Sequence, residues 1–334
     1  MFNKYLIKGN MYEIGYKQGE IFAEAINKEI NNYLELLKEG RISKITDKII
    51  EKIKNDFPNL LDELYGKADG AKVDRRALIL MHSPEVYSKF DGCTTAIFNK
   101  GDRVLFSHNE DDQGYNHENT ALVKFDYGDH WLVSFTAYHK LTGSCFGYNS
   151  YGLVFSCNYL FHELANLDFL SRYIVTRDII ESKSLDECLE KLDKNKTASP
   201  FSYNVLDLNT LKVCNIEHNH DKDYITYIDD KFARSNHFLN KENPKMSESS
   251  KNRNIFAKER IAKLDTNAQL KDLIEVLSYE DSDYNKSILL DPLKYSNVDN
   301  SVTVANMAFD SKTKEVIIND YLDHSIWTHK FGEF

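Results

Sequence analysis

The chain of 334 residues carries 42 lysines and arginines against 52 aspartates and glutamates, a formal charge of -10. Its 42% hydrophobic and 12% aromatic content excludes a disordered chain and supplies a sizeable core for one large domain or two. The acidic balance argues against nucleic acid or an anionic membrane surface as the main partner.

Read in order, the N-terminus Met1-Phe2-Asn3-Lys4-Tyr5-Leu6-Ile7-Lys8-Gly9 shows no signal-peptide apolar region, and no apolar run is long enough to span a bilayer, so a cytoplasmic protein is expected. The first ninety residues read as mostly helical. After a short strand at 6–9, Ile21, Ala25, Ile26, Ile30, Tyr33, Leu34 and Leu37 follow helical spacing in one helix running to about Lys38. Further helices are expected at 45–56, before Pro58, at 60–71 and at 77–81. From Cys93 onward the period changes to strands: a hairpin, then 122–126, 131–135 and 152–156, separated by turn signals such as Tyr127-Gly128-Asp129. Two helices follow at 169–181 and 184–192, the second with Ser184 and Glu187 as a capping box. Strands resume at 203–206, 212–217, 224–228, 302–309 and 316–319. The polar, Lys/Ser-rich stretch 240–254 reads as an exposed loop or lid flank. Periodicity alone gives a mixed α and β protein.

The chemistry concentrates in the hairpin. Asp91-Gly92-Cys93-Thr94-Thr95-Ala96-Ile97-Phe98 and Ser107-His108-Asn109-Glu110-Asp111-Asp112 flank a Lys100-Gly101-Asp102 turn, so the hairpin brings Cys93 and Asp111 to one end of a sheet. A buried structural cysteine is the alternative at Cys93. Cys145, Cys157, Cys188 and Cys214 read as core fillers, and the five cysteines show no Cys-x-x-Cys spacing, so neither a disulfide framework nor a zinc site is suggested. His218-Asn219-His220 lacks a third ligand and reads as surface histidines; no metal and no cofactor are expected.

The run from Gly92 to Phe98 followed by His108 to Asp111 resembles the nucleophile hairpin of N-terminal nucleophile hydrolases, specifically the peptidase C45 family of acyl-coenzyme A:6-aminopenicillanic acid acyltransferases. Gly9, Tyr12, Gly15 and Gly19 resemble the start of such precursors. The resemblance implies an α+β, four-layer αββα sandwich, with residues 1–92 as a helical pro-segment or small subunit packed on a core of residues 93–334. It implies self-cleavage at Gly92-Cys93, after which Cys93 carries both a thiol nucleophile and an α-amino base of pKa about 8. Gly92, lacking a Cβ, would ease the strained turn at the cut. Asp111 would accept hydrogen bonds from the thiol or the α-ammonium and orient them.

By the same resemblance Asn204, in Ser202-Tyr203-Asn204-Val205-Leu206-Asp207, would donate to the oxyanion, and Asn158 would be a second active-site asparagine. Asn109 and Thr94 are further candidates around the nucleophile. Arg234, in Ala233-Arg234-Ser235-Asn236-His237-Phe238, would neutralise Asp111 or bind a substrate carboxylate, with a structural salt bridge as the alternative. The substrate would be a small acyl amide or an acyl-CoA-like thioester, and the two processed fragments would stay associated. A strict hydrolase of N-acyl amino acids or small amides is the second reading, and an unprocessed, non-catalytic acyl-ligand-binding protein the third. The chain departs from many relatives in carrying Asp112 where they have an aromatic residue, and from the bile salt hydrolases in carrying His108 or Asn109 near the position of an arginine, which weakens any transfer of bile-acid specificity.

Overall fold

The computed structural model describes residues 3–87, 92–113, 119–162, 165–242, 246–295 and 301–334. Asp91, one residue of the hairpin motif, lies outside them, as do residues 243–245 of the polar stretch.

Strand β1 (Asn3–Lys8) leads into five helices: α1 (Met11–Ile21), α2 (Ala23–Leu37), α3 (Gly40–Asp56), α4 (Pro58–Ala71) and α5 (Arg75–Met81). Asn10 starts α1 with a capping box to Glu13, satisfying two of the helix's first free amides. The single helix expected to Lys38 is instead α1 and α2, meeting at Phe22. The hydrogen-bond ladder continues through this point, Phe22 N–H to Gln18 and Ile26 N–H to Phe22, so the chain bends and turns the Phe22 ring into the core. The bend has a reason in packing. Gly15 and Gly19 of α1 lie against the backbone of α4, and Gly66 and Gly70 of α4 lie against the backbone of α1. A Cβ on any of the four would fall about 2 Å from a carbonyl oxygen, so α1 is held to the direction of α4 while α2 packs elsewhere.

The hairpin is β2 (Gly92–Asn99) and β3 (Val104–Gln113), turning at Gly101 with φ +85°. Next come β4 (Thr120–Asp126), β5 (Trp131–Ala137), β6 (Phe146–Asn149), β7 (Leu153–Tyr159), α6 (Arg172–Ile179) and α7 (Leu185–Lys194), with Ser184 accepting from the Glu187 amide at 3.1 Å as the sequence pattern implies. Strands β8 (Phe201–Asp207), β9 (Val213–His218), β10 (Tyr224–Tyr227) and β11 (Lys231–Arg234) follow, then α8 (Glu248–Ala262), α9 (Leu270–Leu277), β12 (Ser301–Asp310), β13 (Glu315–Asp320) and β14 (Ile326–Lys330).

One sheet has the order β1-β4-β5-β6-β7-β8-β9-β10 and the other β11-β2-β3-β12-β13-β14. Ile97, Phe106, Phe135, Phe146, Val154 and Met307 fill the space between them. Helices α1 to α7 cover the outer face of the eight-stranded sheet, and α8 and α9 cover the outer face of the six-stranded sheet. This is a four-layer αββα sandwich. Strand β1 pairs in parallel with β4 from Asn3↔Ala121 to Lys8↔Asp126, so the N-terminal segment contributes a strand to the first sheet as well as helices to its face.

The stretch 240–254, read as an exposed loop, begins α8 from Glu248, with Ser247 accepting from the Ser250 amide at 3.1 Å. Its polarity misleads because Ser250, Arg253 and Asn254 are buried, turned toward other polar groups inside the protein and not toward water. His218, read as a surface residue, is also buried, its Nδ1 2.7 Å from Asp223 and its Nε2 3.1 Å from the Asn195 carbonyl.

Gly19→Ala and Gly66→Ala are each expected to lower stability by about 1–3 kcal/mol, the usual cost of overpacking. Gly40→Ala, where the added Cβ meets nothing within 4 Å, is the control and should be neutral or slightly stabilising. Urea unfolding of the three variants checks this.

Candidate active site

The pairing of β2 with β3 decides which side chains meet. Its register sets Gly92 opposite Asp111, Cys93 opposite Glu110, Thr94 opposite Asn109 and Thr95 opposite His108. Because side chains alternate along a strand, Cys93, Thr95 and Ile97 share the inter-sheet face with Glu110, His108 and Phe106, while Thr94 and Ala96 share the helix-covered face with Asn109 and Asp111.

On the inter-sheet face Cys93 Sγ lies 3.5 Å from Glu110 Oε2, within reach of an S–H donor. The other carboxylate oxygen of Glu110 accepts from Lys140 Nζ at 2.6 Å, and Lys140 also pairs with Asp112 at 3.2 Å. His108 Nε2 is 3.3 Å from Glu110 Oε2, and its Nδ1 is 2.8 Å from Thr95 Oγ1. Thr95 Oγ1 donates to Asn158 Oδ1 at 3.0 Å. Asn204 Nδ2 donates to the same Asn158 oxygen at 2.8 Å and to Ser156 Oγ at 3.1 Å, and Asn215 Nδ2 donates back to Asn204 Oδ1 at 2.9 Å. Asn158 Nδ2 is a buried donor with no partner among the described residues. The two asparagines named from the sequence therefore meet beside the cysteine's strand, and Asn158 holds the free N–H.

Cys93, His108 and Glu110 offer ligand atoms that all lie within 4.8 Å of one another. The Lys140 ammonium already sits on Glu110, a positive charge that opposes a second cation there.

On the helix-covered face Asp111 Oδ1 accepts from Thr303 Oγ1 at 2.8 Å, while Oδ2 accepts no hydrogen bond among the described residues and lies 3.5 Å from Arg253 Nη1. Burial raises the Asp111 pKa, with Arg253 and Thr303 acting against that rise. Arg253 Nη1 also donates to the Cys93 carbonyl and to Thr94 Oγ1, both at 2.7 Å, and Nη2 donates to Asn236 Oδ1 at 2.8 Å. That same Asn236 oxygen accepts the Cys93 N–H at 3.0 Å, and Asn236 Nδ2 donates to the Tyr159 carbonyl. Both polar groups of the Cys93 backbone are thus held by side chains from α8 and the segment after β11. A Cβ at Gly92 would stand 3.1 Å from both Cβ and Oδ2 of Asp111.

Several expectations change here. Asp111 does not face the thiol; strand alternation gives that place to Glu110, and Asp111 faces the Gly92-Cys93 backbone. Arg234 does not reach Asp111: its guanidinium donates to Asn215 at 3.0 Å and to the His237 carbonyl at 2.9 Å, hydrogen-bonds Ser202, and pairs with Glu217 at 3.4 Å, so the structural salt bridge is what it makes. Burial lowers its pKa to about 10. The arginine beside Asp111 is Arg253, which sequence reading missed because it lies in the polar stretch taken for a loop. Asn109 donates to the Leu277 carbonyl at 2.9 Å and accepts from Asn306, tying β3 to α9 and β12 away from the thiol. Thr94 contacts Arg253 and not the inter-sheet face. Gly92 sits in an extended strand without positive φ, so its missing Cβ serves the close approach of Asp111 and not a strained turn. The four remaining cysteines are buried, and burial raises each thiol pKa.

The αββα layering, with a cysteine at the start of an inner strand, defines a fold of the N-terminal nucleophile hydrolase type. Residues 98–319 match the model of the acyl-coenzyme A:6-aminopenicillanic acid acyl-transferase family, and the chain belongs to that family. The match starts beyond Gly92 and Cys93, while Glu110, Asp111, Asn158 and Asn204 lie within it. A β-alanyl-dopamine/carcinine hydrolase of Drosophila melanogaster is 27% identical over 214 residues, which make up 55% of this chain and 55% of that protein; the chain thus spans about half the length of this relative. Among solved structures, penicillin V acylase from Agrobacterium tumefaciens aligns with a TM-score of 0.53 at 14% identity, over 72% of this chain and 87% of that one. An N-acylethanolamine-hydrolyzing acid amidase ortholog from Caenorhabditis elegans aligns at 0.49 and 15% identity, over 71% and 100%.

Arg253→Met removes the charge opposite a buried carboxylate and should cost about 3–5 kcal/mol at neutral pH. Because the folded-state pKa of Asp111 is raised, its protonated form suits the fold, and the stability that protonation provides is lost as pH rises through that value. The deficit of Arg253→Met should therefore shrink as pH falls, and Asp111→Asn added to it should recover much of the loss at neutral pH. Thermal unfolding of the single and double variants across pH measures both effects.

Proposed function

We propose that this chain is a self-processing cysteine amidohydrolase or acyltransferase that cuts itself between Gly92 and Cys93 and then forms an acyl-enzyme on Cys93. The observation that carries the reading is the place of Asp111. Its Oδ2, buried, without a hydrogen bond among the described residues and 3.5 Å from Arg253 Nη1, faces the Gly92-Cys93 backbone, where cleavage would leave an α-ammonium. A carboxylate there would hold the new amine beside its own thiol.

In its neutral form the α-amine takes the thiol proton as Sγ attacks the substrate carbonyl, and returns a proton to the leaving amine. Asn158, held by Asn204 and Thr95, supplies an N–H for the tetrahedral oxyanion, and Asn204 orients it. Water or an amine then resolves the acyl-enzyme. Residues 1–92 would remain bound after the cut, since they supply β1 to the larger sheet and bury Ile14, Ile26, Ile30 and Leu80 against it.

Hydrolysis of a small amide is favoured over use of an acyl-CoA. Glu110 and Asp112 line the thiol's face of the sheet, and Lys140, the cation seen there, already pairs with both carboxylates. β-Alanyl-dopamine and carcinine, named for the Drosophila relative, and penicillin V form the first substrate panel.

The intact mass of the denatured protein should show fragments 1–92 and 93–334 in place of a single 38.8 kDa chain, with Cys93 at the new N-terminus and both fragments co-eluting under native conditions. Cys93→Ala should stay whole. Asn158→Leu should lower kcat on the amide hydrolysed by at least about 100-fold, the range seen for one oxyanion donor. A parent protein that stays uncut after long incubation would remove the α-amino base and leave an acyl-ligand-binding protein.

A further inference from the structure

The self-cleavage step needs a base that the finished enzyme does not use. Before the cut, the Cys93 nitrogen is an amide. It donates its N–H to Asn236 and has no basic lone pair, so the group that would later activate the thiol does not yet exist. Asp111 cannot stand in, because strand alternation places it on the opposite face from Sγ.

We propose that Glu110 is the catalytic base of self-cleavage. This rests on the reading that the chain cuts itself at Gly92-Cys93. Five observations converge on the glutamate. Glu110 is directly opposite Cys93 in the hairpin register, so both side chains leave the sheet on one face. Its Oε2 is the carboxylate oxygen 3.5 Å from Sγ. Its Oε1 is pinned at 2.6 Å by Lys140, which fixes the carboxylate plane and leaves Oε2 for the thiol. Lys140 is in turn held in place, since the buried Lys67 of α4 donates to the Tyr138 and Lys140 carbonyls at 3.1 and 3.4 Å. His108, between Thr95 and Glu110 Oε2, sets the approach of that oxygen from the other side.

The step balances without a co-reactant other than water. Glu110 Oε2 takes the Sγ proton as sulfur bonds to the Gly92 carbonyl carbon. The bond from that carbon to the Cys93 nitrogen breaks, and the proton passes from Glu110 to the nitrogen, leaving a Gly92 thioester on Cys93 and a free α-amine. Water then hydrolyses the thioester to a Gly92 carboxylate and the Cys93 thiol. The N-terminal helices take part through Lys67, which links α4 to the segment that orients the base.

The test follows the cut fraction of the full chain over time by intact mass, after cell-free synthesis, for the parent, Glu110→Gln and the double variant Glu110→Gln/Lys140→Met. The double variant removes both members of the Glu110–Lys140 pair, so a slowing shared by both variants does not come from a buried ammonium left with Asp112 alone. A lost general base slows the reaction by about 10²–10⁴-fold. Both variants should therefore cut at least about 100-fold more slowly at neutral pH, with a rate that climbs about tenfold per pH unit as hydroxide replaces the missing base; loss of a purely structural contact would not produce that slope. If the parent cuts and either variant keeps the parental rate and pH profile, the assignment to Glu110 is wrong while self-cleavage stands. If the parent itself remains whole, self-cleavage and the base proposed for it both fall.

Discussion

The register of a single antiparallel hairpin governs this molecule. With Cys93 opposite Glu110 and Gly92 opposite Asp111, two neighbouring carboxylates are sent to opposite faces of one sheet. Glu110 enters the space between the sheets with the thiol, and Asp111 enters the layer of α8 and α9 beside the peptide bond. A slip of one residue would exchange them. The register is held on both sides: Ile97 and Phe106 are buried between the sheets, and Ala96 and Leu105 are buried under the helices, so every side chain of the hairpin's middle has a place on only one face.

Around that register the protein builds two polar layers. Between the sheets, Glu110, His108, Thr95, Asn158, Ser156 and Asn204 form a chain of hydrogen bonds away from water. Outside, Arg253 and Asn236 bind the Cys93 carbonyl and amide and fix the backbone of that residue. Buried polar groups are costly when unpaired, so those left without a hydrogen bond among the described residues near Cys93 stand out. Asn158 Nδ2 and Asp111 Oδ2 are two of them, one near the thiol's network and one at the Gly92-Cys93 backbone. On the function proposed above, an oxyanion and an α-ammonium would complete these two atoms.

How much could be read in advance depended on how local the signal was. Ser184 with Glu187, the Lys100-Gly101-Asp102 turn and the hairpin strands were legible because caps, turns and alternation act over a few residues. The bend at Phe22 was not, because it answers to glycines on α4 that lie far along the chain. Residues 248–254 misled for a related reason. Polar composition usually marks solvent exposure, and here Ser250, Arg253 and Asn254 turn inward to partners that only the fold supplies. The two arginines make the same point: Arg234 sits in the more recognisable segment yet is consumed by Glu217, Asn215 and the His237 carbonyl, while Arg253 reaches Cys93 from a helix that the sequence did not announce.

The sequence by itself determined the αββα class through family resemblance, the place of the hairpin that carries Cys93, and the identities of Cys93, Asp111, Asn158 and Asn204 as residues worth following. The hairpin itself follows from residue type and short-range order, whereas the αββα class and the choice of the asparagines come from the resemblance. The tertiary structure alone decided which carboxylate faces the thiol, which arginine holds the Cys93 peptide, and which asparagine keeps a free N–H. Each of those depends on which face of a strand a side chain leaves from and on what a distant element brings against it, and contacts between remote segments are set by packing that no local pattern encodes.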